Sequence, residues 1–430
     1  MTQVRLLTLD PGHFHAALVQ KEMYPGVERK VHVYAPLGAD LIAHLNRIAG
    51  FNGRADQPTA WELDVHTGPD YLDRLLAEKP GNVVVLSGRN RVKIDYLEKA
   101  LAAGLNVLAD KPWIINAADL PRLEKALDLA DHKGLIAYDI MTERYEITSI
   151  LQKELVQDAE LLGTVEPGTQ EQPGVFMESK HFLMKTVAGV PLRRPAWFFD
   201  VEQVGEGLTD VGTHLVDLVP WMLYPGQAID RKGIEIRAAK RWPTTLSRED
   251  FQRVSGDSDF PAFLPEARKA GKLDYFCNTQ VSYCLRGVHV KFDILWDFEA
   301  AAGSGDTHLS VVRGSRSNVE IHQGAEQKYR PELYVVPAKE SEKKGVAAAL
   351  AKRVAALQGN YAGIAVVDQG QRLQVTIPES FRVGHEAHFG QVTRQFLAYL
   401  ARPKELPAWE KPNMLAKYHV TTKGVELSRK

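Results

Sequence analysis

The sequence predicts an α/β protein in two parts: an N-terminal doubly wound parallel sheet, then an α/β region built on a large, mainly antiparallel open sheet. Three observations predict it. Up to about residue 143, short apolar, β-branched runs alternate with helix-like runs. Beyond residue 210 the runs are longer, alternating or aromatic-rich, and tight-turn residues such as Arg286-Gly287 separate them. Finally, 430 residues are more than one hydrophobic core usually holds, which argues for domains at 1–143 and 144–430.

Taken in order, residues 4–9 form a first strand, 14–23 a helix and 30–34 a second strand. The run 82–87 is continuously apolar and ends in turn residues, as expected of a strand buried on both faces. A helix over 94–103 closes at Gly104, a strand covers 106–109, and a helix over 120–133 leads to a strand at 135–140. In the second part, strands are expected at 279–285, 288–298, 308–312 and 318–322. Two stretches, 243–273 and 339–359, read as insertions. No internal repeat or long low-complexity tract is evident.

Composition narrows the function classes. A formal net charge of −1 argues against a strongly basic nucleic-acid binder or an anionic-membrane binder, so a small-molecule substrate is expected. No apolar run has the length needed to cross a membrane, and with a strand-like run so near the start no signal peptide is expected in these residues. Cys277 and Cys284 are seven residues apart and would face opposite ways in one strand. Free thiols and a cytoplasmic location are therefore expected.

Open α/β sheets bind ligands beyond the carboxyl ends of their strands, which makes the strand exits the first place to look. After the first strand stands Asp10-Pro11-Gly12-His13-Phe14-His15. A dinucleotide loop usually reads G-x-G-x-x-G; here only the middle glycine, Gly12, is present, with Asp10 and His15 in the other two places. His13 and His15 could donate to a pyrophosphate. Alternatively, Asp10 caps the helix with Pro11 as its first residue. Two histidines without an assembled carboxylate or cysteine set do not argue for a metal. Ser87, Asn90 and Lys93 follow the 82–87 strand, and Asp110, Lys111 and Pro112 follow the next one.

Further on, Gly205-x-Gly207-x-x-Asp210-x-Gly212-x-His214-x-x-Asp217 spaces two carboxylates and an imidazole by four and three residues. On a helix they share one face, where an aspartate can fix the tautomer of a proton-transferring histidine. A plain helix start with a core histidine accounts for the same residues. Lys180, His181, Arg194 and Trp197 lie just upstream and could wall a substrate pocket, or form a solvated basic turn beside a core tryptophan. His385-Glu386-Ala387-His388 reads as the polar start of a helix over 389–400, not as a zinc motif.

With these residues assembled, the chain resembles the glucose-fructose oxidoreductase, inositol dehydrogenase and MocA family (Gfo/Idh/MocA). Asp110-Lys111-Pro112 stands for that family's Glu-Lys-Pro, and the 205–217 segment for its glycine-rich Asp-x-Gly-x-His signature. Asn90-Arg91-Val92-Lys93 falls where it often has Asn-His-x-His, and Arg144-Tyr145 where it has an Arg-aromatic pair. The resemblance covers residues up to about 225 in motif and the rest in architecture.

It implies a Rossmann domain that binds NAD, or less readily NADP, and a sugar or polyol substrate. Lys111 would hydrogen-bond the reacting hydroxyl, His214 would be the acid/base, and Asp210 would orient it, with Tyr145 nearby. NAD is favoured because residues 34–38, after the second strand, hold no basic group for a 2′-phosphate. Two alternatives stand beside sugar oxidation: glycoside processing through transient oxidation, and a non-catalytic sugar-binding module. A homodimer or homotetramer is expected, because Phe292, Trp296 and Phe298 on an exposed sheet face would be too apolar to leave in water.

Overall fold

The structure is a computed structural model that describes residues 3–187, 190–191 and 193–430. Its contacts divide the chain into two units. One comprises Met1–Thr142, Glu202–Val204 and Gly384–Tyr418; the other comprises Glu143–Val201, Gly205–Val383 and His419–Lys430.

The first unit is a six-stranded parallel sheet of β1 (Leu6–Leu9), β2 (Lys30–Ala35), β3 (Glu62–Thr67), β4 (Val83–Leu86), β5 (Asn106–Asp110) and β6 (Ala137–Ile140). They lie in the order β3-β2-β1-β4-β5-β6. β1 and β4 are buried along their whole length, which is why their sequences are continuously apolar. The helices Lys93–Ala102 and Leu120–Lys133 share with the sheet a core that includes Leu7, Leu86, Leu97, Leu101, Val107 and Leu123. The strand order reverses between β1 and β4, which opens a crevice at their carboxyl ends.

Two elements here were not expected. β3 is an edge strand with no fully buried residue, so Glu62-Leu-Asp-Val-His-Thr67 carries almost no hydrophobic run, and the helix Ala39–Gly53 precedes it. The helix expected over 14–23 is a single turn, His15–Leu18. Beyond it the carbonyls turn to side chains: Trp61 Nε1 donates to Gln20 O (2.7 Å) and Arg54 Nη2 to Lys21 O (2.7 Å). Residues 384–418 add the helix His385–Ala401 and the start of the helix Glu410–Ser428. There Lys417 Nζ lies 2.9 Å from the buried Asp139 Oδ2, and the Tyr418 hydroxyl donates to the same oxygen (2.7 Å).

The second unit is organised by a nine-stranded sheet. Its strands are β7 (Val175–Met184), β10 (Ile234–Ser247), β11 (Lys272–Leu285), β12 (Val288–Glu299), β13 (Thr307–Arg313), β14 (Ser317–Gln323), β15 (Glu332–Pro337), β16 (Ala365–Asp368) and β17 (Leu373–Thr376). β8 (Thr186–Val187) and β9 (Val190–Pro191) form a separate ladder. The order is β10-β11-β12-β7-β13-β14-β15-β17-β16, and every pair is antiparallel except β12 with β7. Arg286 (φ 50°) and Gly287 (φ 85°) make the two-residue turn between β11 and β12, whose twist suits a hairpin.

The structure corrects two expectations in this unit. The 243–273 stretch is not wholly an insertion: residues 243–247 complete β10, an edge strand that accommodates Pro243 at a register shift between Trp242 and Thr244. The aromatics expected to demand a second chain are already covered. Phe292 and Trp296 are 0% and 7% exposed, and Phe298 is half-buried beneath the Arg253 guanidinium, 5.2 Å away. Cys277 and Cys284 both lie in β11 and are unpaired thiols. Among the described residues, no helix is long and apolar enough to cross a membrane.

Candidate functional site

In the first unit the strand exits meet around one carboxylate. Asp10 leaves β1 in the left-handed region (φ 46°), which aspartate tolerates better than most residues, and its amide donates to Tyr34 O (2.9 Å). The His13 amide donates to Ser87 O (3.1 Å), tying the β1 exit to the β4 exit. Gly88 is required there, because a Cβ would stand 2.4 Å from Asp10 O.

Asp10 is not the helix cap. The residue before the turn His15–Leu18 is Phe14, which makes no side-chain cap bond, while the Asp10 carboxylate accepts from the Tyr96 hydroxyl (3.1 Å). Burial raises the Asp10 pKa, against the lowering influence of Arg89 and the Tyr96 hydrogen bond.

Asp110, at the end of β5, gathers His15 Nδ1 (2.9 Å), the Ser87 hydroxyl (3.0 Å) and, at 3.6 Å, His13 Nδ1 onto one oxygen. Burial alone would raise its pKa. His15, His13 and Lys93 more than offset this and hold it well below the usual carboxylate range. Burial lowers the His15 pKa, against the raising influence of Asp110. The His15 ring also packs on Phe389 (4.5 Å) and His385 (5.6 Å), both from the helix His385–Ala401, whose polar start thus has a place in this cluster.

The other residues expected at these exits divide by role. Lys93 is buried, and its ammonium donates to Asn90 Oδ1 (2.7 Å), Asp110 O (2.7 Å) and Pro112 O (2.9 Å), while Asn90 Nδ2 donates to Val204 O (2.8 Å). These bonds brace the β4 and β5 exits. Gly12 and Lys111 are partly exposed; Lys111 follows β5 directly and bears electrostatically on His15.

In the second unit the glycine-rich segment is a packing device. Gly207 starts the helix Gly207–Asp210 against β11 so closely that a Cβ would come 1.9 Å from Cys277 O. Asp210 ends that short helix and His214 lies in the next one, Gly212–Leu223, both partly exposed. Asp217, expected on the same reactive face, is instead buried in a bidentate pair with Arg144: Nε to Oδ2 at 2.6 Å and Nη2 to Oδ1 at 2.8 Å.

A polar group on the sheet complements the helix. His181 Nε2 is 2.7 Å from Ser179 Oγ, its Nδ1 is 3.1 Å from Asp306 Oδ2, and its ring lies 4.9 Å from Trp296. Burial pushes the Asp306 carboxyl up, but His181 and Lys185 outweigh it and bring the pKa down to about 2. Burial holds His308, opposite Ser179 on β13, down at about 4. Arg194 donates from Nε to Leu183 O (2.9 Å) and lies over Phe198 (4.6 Å) and Trp296 (5.3 Å). Burial lowers its pKa, while Tyr275, Asp210 and Asp306 act in the opposite sense, so these charges share one field.

Lys180 falls away from this group. The strand period turns it to the other face of β7, where it pairs with Asp297 (2.5 Å). Trp197 is buried in the turn Ala196–Phe199, and Tyr145 is half-buried at the end of Thr142–Tyr145. Ser179, Tyr275, Trp296, Asp306 and His308 were not anticipated. Alternation along β7 signals Ser179 beside His181, but the partners on β12 and β13 emerge only once the strands are paired.

Similarities to known proteins bear on the chain. Residues 151–429 match the family described as "Putative oxidoreductase C terminal domain". A crystal structure described as a putative oxidoreductase, from Parabacteroides merdae, is 47% identical, with a TM-score of 0.95, over 100% of this chain and 98% of that one. The fission yeast (Schizosaccharomyces pombe) protein described as uncharacterized oxidoreductase C115.03 is 24% identical over 225 residues, which is 51% of this chain and 55% of that relative; the match thus spans about half of it. At the level of fold, KijD10, a 3-ketoreductase from Actinomadura kijaniata solved with NADP and TDP-benzene, aligns with a TM-score of 0.58 and 14% identity over 99% and 97% of the two chains.

Proposed function

The chain belongs to the oxidoreductase family defined by that C-terminal domain, with the architecture of a divergent Gfo/Idh/MocA protein, and we propose that it transfers a hydride between a nicotinamide dinucleotide and a sugar or polyol carbinol. One observation carries the reading: Asp10, Ser87, Asp110 and Lys111 converge at the carboxyl edge of a β3-β2-β1-β4-β5-β6 sheet.

The edge fits a dinucleotide. Gly88 keeps two strand exits in backbone contact. Gly12, His13 and Ser87 would hold the phosphates and ribose. Bound at this edge, NAD would supply the hydride acceptor. NAD is preferred to NADP because Asp40, in the first turn of the helix after β2, is an acidic residue suited to a ribose hydroxyl, although Arg89 pairs with it at 2.9 Å.

Lys111 hydrogen-bonds the reacting hydroxyl and lowers its pKa, and His214 takes the proton, with Asp210 supporting its cationic form. His181, Asp306 and Arg194 offer hydrogen-bonding groups suited to a sugar. The substrate is a small carbohydrate, with no role for nucleic acid or membrane.

A second reading, glycoside cleavage through a transient ketone, gains support from the His181–Asp306 pair. Once the carbinol is oxidised, the adjacent C–H is acidic. A base other than His214 can then remove that proton while the glycosidic oxygen leaves and is protonated.

The test is to denature the purified protein, identify any released nucleotide by mass, and assay polyols, keto-sugars and aryl glycosides with added NAD or NADP. Absence of nucleotide in the protein, of binding by calorimetry and of turnover on the whole panel would defeat the proposal.

A further inference from the structure

A second cluster of ligating side chains lies on one face of β2 and β3, with His66 one residue short of the end of β3. These strands pair so that His32 stands opposite Asp64, and the strand period brings His66 to the same face as Asp64. His32 Nδ1 is 3.3 Å from Asp64 Oδ2 and His66 Nε2 is 3.5 Å from Asp64 Oδ1, with the two rings inclined by only 17°. Both nitrogens are shielded from solvent and neither makes a hydrogen bond. A buried polar atom left in that condition is costly and calls for a partner.

We propose that His32, Asp64 and His66 bind a divalent transition-metal cation such as zinc. Zinc holds imidazole nitrogen and carboxylate oxygen at about 2.0–2.2 Å in a tetrahedron, which separates neighbouring ligand atoms by about 3.3–3.6 Å. The two histidine–carboxylate spacings fall in that range, each to a different oxygen of Asp64, and one ligand atom from each residue lies within 4.8 Å of the others. Two imidazoles and one carboxylate suit zinc, nickel or copper rather than calcium or magnesium, which prefer all-oxygen shells. A fourth position remains for water.

The surroundings support the assignment. Tyr34 stacks on His66 at 4.4 Å and donates its hydroxyl to Glu78 (2.7 Å), which fixes the plane of the ligand. Lys30 Nζ, half-exposed and 3.0 Å from Asp64 Oδ2, is the cation that a metal would displace.

The test is calorimetric titration of the chelator-stripped full chain with zinc chloride, and separately with calcium chloride. Zinc should bind and raise the melting temperature. His66→Gln and Asp64→Asn should each remove one equivalent of zinc or weaken it by about 100-fold or more, with circular dichroism showing the fold retained. Lys30→Ala should tighten binding, an effect that general damage to the fold would not produce. No zinc uptake by the wild type, unchanged stoichiometry and affinity in both ligand variants, or equal affinity for calcium overturns the proposal.

Discussion

His15 and Ser87 reach the same oxygen of Asp110, at 2.9 and 3.0 Å, so one buried carboxylate locks the loop after β1 to the loop after β4. Asp110→Ala removes the acceptor from both. It should cost about 1–3 kcal/mol of stability, as leaving buried donors unsatisfied does, and weaken nucleotide binding. Asp110→Asn keeps an acceptor and should lose less on both counts. Denaturant unfolding and calorimetry with NAD check this; an alanine variant as stable as wild type would show that the network does not hold the loops.

Lys111 and His214 are the proposed proton carriers. Lys111→Ala and His214→Ala should each lower kcat by roughly 100-fold or more while leaving NAD affinity nearly unchanged. Asp210→Asn should lower turnover at neutral pH with the fold intact. Steady-state kinetics on a turned-over substrate measure this, and near wild-type rates in either alanine variant would return the residue to a structural role.

Two glycines should respond in opposite ways to alanine. Gly207→Ala forces a Cβ to within 1.9 Å of a β11 carbonyl and should cost at least about 3 kcal/mol or prevent folding. Gly50, inside the helix Ala39–Gly53, has open space around it, and Gly50→Ala should stabilise by about 0.5–1 kcal/mol. Thermal melts of the two variants decide the matter.

Asp306 gives the second unit an acid-sensitive contact. Its pKa is lowered in the fold to about 2 from 3.8, so its contribution is complete above the unfolded value and fades as pH falls toward the folded one. The stability difference between wild type and Asp306→Asn should therefore be steady near pH 7, shrink between about pH 4 and 2, and vanish below that. Urea unfolding across this range measures it. A difference independent of pH would mean that Asp306 acts through its shape alone.

The sequence displayed what repeats and concealed what converges. β1, β4 and β5 were legible because strands buried on both faces leave a continuous apolar signature, and the helix Leu120–Lys133 was found at its true limits. β3 was not, because an edge strand needs no such run. Asp110, Lys111, Asp210 and His214 stood out by motif, whereas Asp217 showed the same spacing but is consumed by Arg144, more than seventy residues away in sequence. The His181 group was half visible for the same reason: Asp306 and Trp296 reach it through strand pairing, which spacing along the chain does not encode.

The buried Asp139 depends on Lys417 and Tyr418, contributed from near the far end of the chain. A gene fragment stopped after the sixth parallel strand would encode every strand of the parallel sheet and still strand a carboxylate in its interior without either partner. The half that resembles a portable cassette is therefore not portable: transplanting it, or expressing it alone for a crystallographic or screening campaign, means splicing the 384–418 stretch back on through an engineered linker.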